Sequence, residues 1–160
     1  MKKSMLVVIV LVQLFTSGAY AQRQTAKNQA IPREVPFEKL SDFVNDSNSR
    51  RNGERITVRD VPTVTEVTFE KAYRMYYFKP TRDSDVGSTF FMSAALAISL
   101  RPHLNSDAAS MWVTCTLIEF VGEFDVYRSL FATKIEGLDE SGETIWTVTG
   151  KAPLKLRIRQ

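Results

Sequence analysis

The fold is decided in the last third of the chain. There MWVTCTLIEFV at 111–121, FDVYRSLFATKIEG at 124–137 and ETIWTVTG at 143–150 follow one another closely. Each segment is rich in β-branched and aromatic residues and is bounded by turn signals, which predicts three successive strands. LDESG at 138–142 joins the second to the third as a tight hairpin, with Gly142 suited to a left-handed position. Cys115, set among Trp112, Val113 and Leu117, reads as a buried thiol acting as a small apolar residue.

Working outward, residues 151–160 alternate Leu154, Leu156 and Ile158 with Lys155, Arg157 and Arg159. A basic strand of this kind discourages unwanted edge pairing. It also fits a cationic stripe attracted to anionic lipid or polysaccharide, which Arg50, Arg51, Arg55 and Arg59 would extend. Upstream, TFFMSAALAISL at 89–100 predicts a further strand with Phe90, Met92, Ala94, Leu96, Ile98 and Leu100 on one face, although its Ala and Leu content also permits a helix. Residues 80–88 and 102–110 read as loops. Before them, Val67, Phe69, Tyr73, Met75 and Tyr77 share one face of a strand running to about Phe78, and Ile56 and Val58 mark another that Pro62 interrupts. Phe37, Leu40 and Val44, opened by Pro36 and flanked by Phe43, have helical spacing. The sum is a mostly β domain over 37–160: an antiparallel β-barrel or β-sandwich of about six to seven strands with a short N-terminal helix.

The first 21 residues belong to a different kind of segment. Lys2 and Lys3 precede an apolar run at 5–15 (MLVVIVLVQLF), and Ala19-Tyr20-Ala21 follows, the pattern of a signal peptide cut before Gln22. Eleven apolar residues make about 16 Å of helix at 1.5 Å each, about half of a 30 Å hydrocarbon layer, so an anchor is disfavoured and no transmembrane segment is expected after cleavage. Residues 22–36 read as a flexible polar leader. The expected location is periplasmic or extracellular, and bacterial, because the exported chain has a single cysteine and so no internal disulfide.

Export changes the charge. The precursor has 21 Lys and Arg against 18 Asp and Glu, and losing Lys2 and Lys3 leaves 19 against 18. A near-neutral exported chain gives no support to nucleic-acid binding, which depends on neutralising phosphates. One cysteine and one histidine, His103, are too few for a Cys- or His-based metal site, and no cofactor is expected. Phosphate-binding glycine loops and nucleophile elbows are absent, and the resemblance of 46–51 to a calcium loop fails at Arg50 and Arg51. Glu119, Glu123 and Asp125 could serve as a hydrolytic carboxylate pair if held about 5–9 Å apart.

Aromatic residues carry the functional expectation. Alternation through Tyr73–Phe78 places Tyr73 and Tyr77 on one face and Arg74, Tyr76 and Phe78 on the other, with Lys79 following. If the first face is core, the second exposes two rings beside a cation, a surface suited to stacking sugars, bases or a protein partner. Arg74, Tyr76, Phe78 and Lys79 are therefore the expected partner-binding residues of a non-enzymatic exported domain that binds an envelope protein or glycan. Two alternatives stand beside it: the carboxylate hydrolase, and a barrel holding a small apolar ligand among Phe90, Met92, Trp112, Phe131 and Trp146.

Overall fold

The structure, a computed structural model, describes residues 31–46, 53–80, 89–121 and 126–151. Eight strands form one mixed sheet: β1 (Arg33–Pro36), β2 (Arg55–Val61), β3 (Thr68–Glu70), β4 (Met75–Phe78), β5 (Phe90–Met92), β6 (Ser110–Val121), β7 (Val126–Leu138) and β8 (Thr144–Thr149). Their order is β1-β2-β6-β7-β5-β4-β3, with β8 also paired to β7. The path does not close on itself, so the expected closed barrel is not what the hydrogen bonds draw. Two pairs, β1 with β2 and β5 with β7, are parallel, which corrects the all-antiparallel expectation.

The three C-terminal strands pair in sequence order as expected. The loop between β7 and β8 is held by Asp139, whose Oδ1 accepts from Ser141 N at 2.9 Å, Ser141 Oγ at 2.7 Å and Glu143 N at 2.9 Å. Gly142 takes φ 84° there, the left-handed conformation expected of it. β7 is 13 residues long, and its second edge is shared. β5 takes Leu130 and Phe131, and β8 takes Lys134 through Leu138. Thr133, the extra residue of a bulge against β6, falls between them; its Oγ1 donates to Thr114 O at 3.2 Å, and its carbonyl accepts from Gly150 N at 2.8 Å.

Register and burial separate the two faces. Ile56, Val58, Val113, Cys115, Leu130, Ala132, Ile135, Phe78, Phe90 and Met92 form the buried face. A single turn of 3-10 helix (Phe37–Lys39) leads into α1 (Leu40–Asn45), which seats Leu40 and Val44 in this core, with Phe37 and Phe43 packed beside them. Arg128 reaches the end of α1 and donates to the carbonyls of Val44 at 3.0 Å and Asp46 at 2.9 Å, so a cation meets the negative end of the helix. Arg33–Pro36, expected to lie in a leader, instead form β1 and bury Val35 against the core. A single apolar residue among charged neighbours is too weak a pattern to announce a strand.

Residues 89–100 divide into strand and helix, correcting the continuous strand expected there. Phe90–Met92 pair with β4 and β7, and Ala94–Leu100 form α2. Ser93 is the switch: it is extended (φ −70°, ψ 157°), and its Oγ accepts from Leu96 N at 3.3 Å, a helix N-cap. From there the buried positions are Leu96, Ala97 and Leu100, which is helical spacing, and Ile98 is left 63% exposed. Pro102 then ends the helix in a 3-10 turn, Arg101–His103.

On β2, Arg59 and Asp60 lie opposite the single residue Trp112, a bulge in which Asp60 has φ 57°; the strand ends at Val61, just before Pro62. The bulge brings the Arg59 guanidinium 4.2 Å from the Trp112 ring centroid and 2.8 Å from Glu34 on β1. One cation thereby links three strands.

Candidate functional site

The segment read as one strand from 67 to 78 is a hairpin. β3 and β4 are joined by Lys71, Ala72, Tyr73 and Arg74. Phe69 lies opposite Tyr76 in antiparallel register, so an odd-numbered and an even-numbered residue share a face. This loop reverses the expected alternation. Tyr76 and Phe78 point to the core, where Phe78 is 1% exposed and stacks on Phe90 at 5.0 Å with ring planes 16° apart. Phe78 therefore cannot touch a partner; it is a core residue. Tyr76 is half-buried, packed between Phe69 at 5.0 Å and the Arg101 guanidinium at 5.8 Å. Arg74 is exposed in the loop, and Lys79 is exposed beyond the strand. Of the four expected contact residues, the structure thus leaves Arg74 and Lys79 open to a partner and half-buries Tyr76.

The rings available at the surface are others. Tyr77 and Phe91 are cross-strand partners on the face opposite the helices, with centroids 6.0 Å apart. Tyr73, in the loop, stands edge-on to Phe91 at 5.8 Å and 78°. The Lys79 ammonium lies 6.0 Å from the Tyr77 centroid. Tyr73 is 43% exposed and Phe69 46%, both high for large apolar rings. The hairpin therefore exposes Phe69 on the side of Tyr76 and Tyr73 on the side of Phe91, with the exposed cations Lys71 and Arg74 in the loop and Lys79 at the far end of β4. Its one acid in the loop region, Glu70, is half-buried and accepts from Ala72 N at 3.1 Å. Arg74 and Lys79 stand in the sequence as candidates, whereas alternation assigns Tyr73 to the core face. Lys71 and Phe69 could be found only once the loop was known.

The small-ligand pocket is not assembled. Phe90 and Met92 are solid core on the helix-covered face, whereas Phe131 pairs with Phe91 and Thr116 on the other face and Trp112 lies beneath Arg59. Trp146 lies flat against Gly137, stacks on His103 at 4.6 Å and 19°, and donates from Nε1 to Ser106 Oγ at 3.1 Å. Residues on opposite faces of one sheet cannot line one cavity. Glu119 is the register partner of Arg128, and Glu123 and Asp125 lie outside the described residues, as do the predicted signal peptide and the basic strand at 152–160. A shallow cleft of about 450 Å³ opens between β1 and α1, lined by Arg33, Glu34, Lys39, Asp42, Phe43 and Asp46 among others. Its lining sets two cations, Arg33 and Lys39, against three acids, Glu34, Asp42 and Asp46, so it concentrates no single sign of charge strongly.

Cys115 is fully buried, and its Sγ donates to Val113 O at 3.6 Å. Burial pushes its thiol well above the ordinary range, the setting of an inert structural cysteine. Asp139 is held below the usual carboxylate range, first by the Ser141 hydroxyl and then by the Glu143 amide. Among the described residues no three His, Cys, Asp or Glu side chains gather as metal ligands, and no helix is long and apolar enough to cross a membrane.

No protein-family model, no curated protein and no solved structure matches this chain.

Proposed function

We propose that this chain is an exported, non-enzymatic β-domain that binds a component of the bacterial cell envelope, a protein or a glycan, through the β3–β4 hairpin. Export rests on the signal-peptide pattern of the first 21 residues. One observation carries the binding reading: the hairpin exposes Tyr73, which stands against Phe91 on the face opposite the helices, next to the exposed Arg74, with Lys71 in the same loop and Lys79 against the Tyr77 ring, on a sheet whose other large rings are mostly covered. Tyrosine and arginine are among the residue types enriched at interaction hot spots. The rigid cross-strand pair Tyr77–Phe91 backs Tyr73, so little side-chain freedom is lost on contact.

The test is retention of the purified protein on isolated envelope fractions, with and without prior protease treatment of those fractions. Retention that falls about tenfold in Tyr73→Ala and in Lys79→Ala, with folding intact by circular dichroism, is the expected result. Equal retention of the variants, or none for the unaltered protein, overturns the hairpin as the binding surface. Survival of binding after protease treatment assigns the partner to glycan, and its loss assigns it to protein.

A further inference from the structure

Three described non-glycine residues have left-handed backbone: Asp60, Asn105 and Arg74, at φ 57°, 65° and 54°. Asp and Asn are the residue types that tolerate this conformation, because their short polar side chains bond locally. Arg has no such compensation. At the equivalent strained positions Gly53 and Gly142 the chain uses glycine, both at φ 84°. Arg74 closes the β3–β4 loop, where glycine would fit the backbone better. Strain retained at an exposed residue points to a use for its side chain.

The surroundings indicate what that use is. Among the described residues neither Lys71 nor Arg74 forms an ion pair, whereas Arg59 and Lys134 do, at 2.8 and 2.7 Å. Lys71, Arg74 and Lys79 leave the hairpin with a positive excess, and the Tyr73 ring adjoins Arg74 in the chain. A guanidinium offers two parallel donors matched to a carboxylate, and an exposed tyrosine ring offers a flat apolar face to a pyranose. Resting on the binding function above, we propose that the hairpin takes a carboxylate-bearing glycan chain, with Arg74 holding the carboxylate and Tyr73 stacking on the sugar ring next to it. A protein occupant is disfavoured because Phe69 and Tyr73 are the only two large apolar side chains that the described hairpin exposes this far, little for an interface that needs about 800 Å² per partner.

The purified protein is titrated with polygalacturonate, which carries a carboxylate on every sugar, and with its methyl ester, the same chain without the charge. Expected are binding of the acid form that weakens as salt rises, at least tenfold weaker binding of the ester, and a further loss of at least tenfold in Arg74→Gly. Arg74→Gly relieves the left-handed strain, so its Tm should hold or rise by about 2–5 °C, which separates lost binding from lost folding. Arg74→Lys keeps the charge but not the paired donors and should fall between. Equal binding of acid and ester, or of Arg74→Gly and the unaltered protein, overturns the carboxylate assignment. The function above would still stand if envelope retention remained dependent on Tyr73. Binding of neither polymer overturns the glycan assignment, and the protease arm of the retention test then decides for a protein partner.

Discussion

Replacing Gly137 with alanine tests how β7 and β8 fit together. A Cβ at Gly137 would fall inside contact distance of Cε2, Cζ2 and Nε1 of Trp146, the residue directly opposite on β8. The indole cannot tilt freely, because His103 stacks on it at 4.6 Å and Ser106 accepts its N–H at 3.1 Å. Overpacking costs about 1–3 kcal/mol. Displacing the ring adds about 0.5–1.5 kcal/mol for the lost stack and about 1 kcal/mol for the hydrogen bond. Alanine returns about 0.5–1 kcal/mol through its stiffer unfolded chain. The net expectation is destabilisation by about 1.5–5 kcal/mol, read as the shift in urea midpoint at constant m-value. In a Trp146→Ala background the same substitution should cost almost nothing, since the atoms it meets are gone. A cost below about 0.5 kcal/mol in the unaltered background, or an equal cost in both, would refute the close packing of Trp146 on Gly137.

Two further outcomes concern titratable groups. Asp139 has a lowered pKa in the folded state, so its contribution is present above the ordinary carboxylate pKa of about 4 and is lost as pH falls through the folded value. The Tm difference between the unaltered protein and Asp139→Ala should therefore shrink on acidification below about pH 4, and a gap that stays constant down to about pH 2 would count against the loop hydrogen bonds as its source. Cys115 has a raised pKa, so its contribution is complete below the ordinary thiol pKa of about 8.5 and declines as pH rises above it. A thiol reagent should label it only at the rate of unfolding, and stoichiometric labelling within minutes in the absence of denaturant would contradict its burial.

Local patterns could be read from the sequence, and long-range pairings could not. The β6–β7–β8 strands, the left-handed Gly142, the helical spacing of Leu40 and Val44 and the burial of Cys115 all follow from neighbours in the chain. The parallel pairs Val35 with Val58 and Phe90 with Leu130 join distant segments and leave no local mark. At 71–74 the sequence Lys-Ala-Tyr-Arg has no glycine, asparagine or proline to announce a turn, and alternation carried through it assigns Tyr76 and Phe78 to the wrong face. The same strain that hid the turn marks Arg74 as unusual once the backbone is known. At 93–100, Ser93 is a cap signal that competes with an equally good period-two pattern, and hydrogen bonding to Leu96 decides between them.

The sharing of β7's second edge between β5 and β8 bears on self-association. A 13-residue strand rich in β-branched and aromatic residues would, if exposed along its backbone, template the growth of cross-β assemblies. Here β6 occupies one side throughout, and two short strands of opposite direction cover Leu130–Phe131 and Lys134–Leu138 on the other, with Ala132 and the Thr133 bulge between them. Among the described residues the strands with a free edge are β1, four residues closing on Pro36, β3, three residues long, and β8, six residues paired to β7 alone. The middle and C-terminal part of the longest strand is thereby kept from meeting its own kind, and β8, at six residues, is the longest free edge that remains for backbone pairing with another chain.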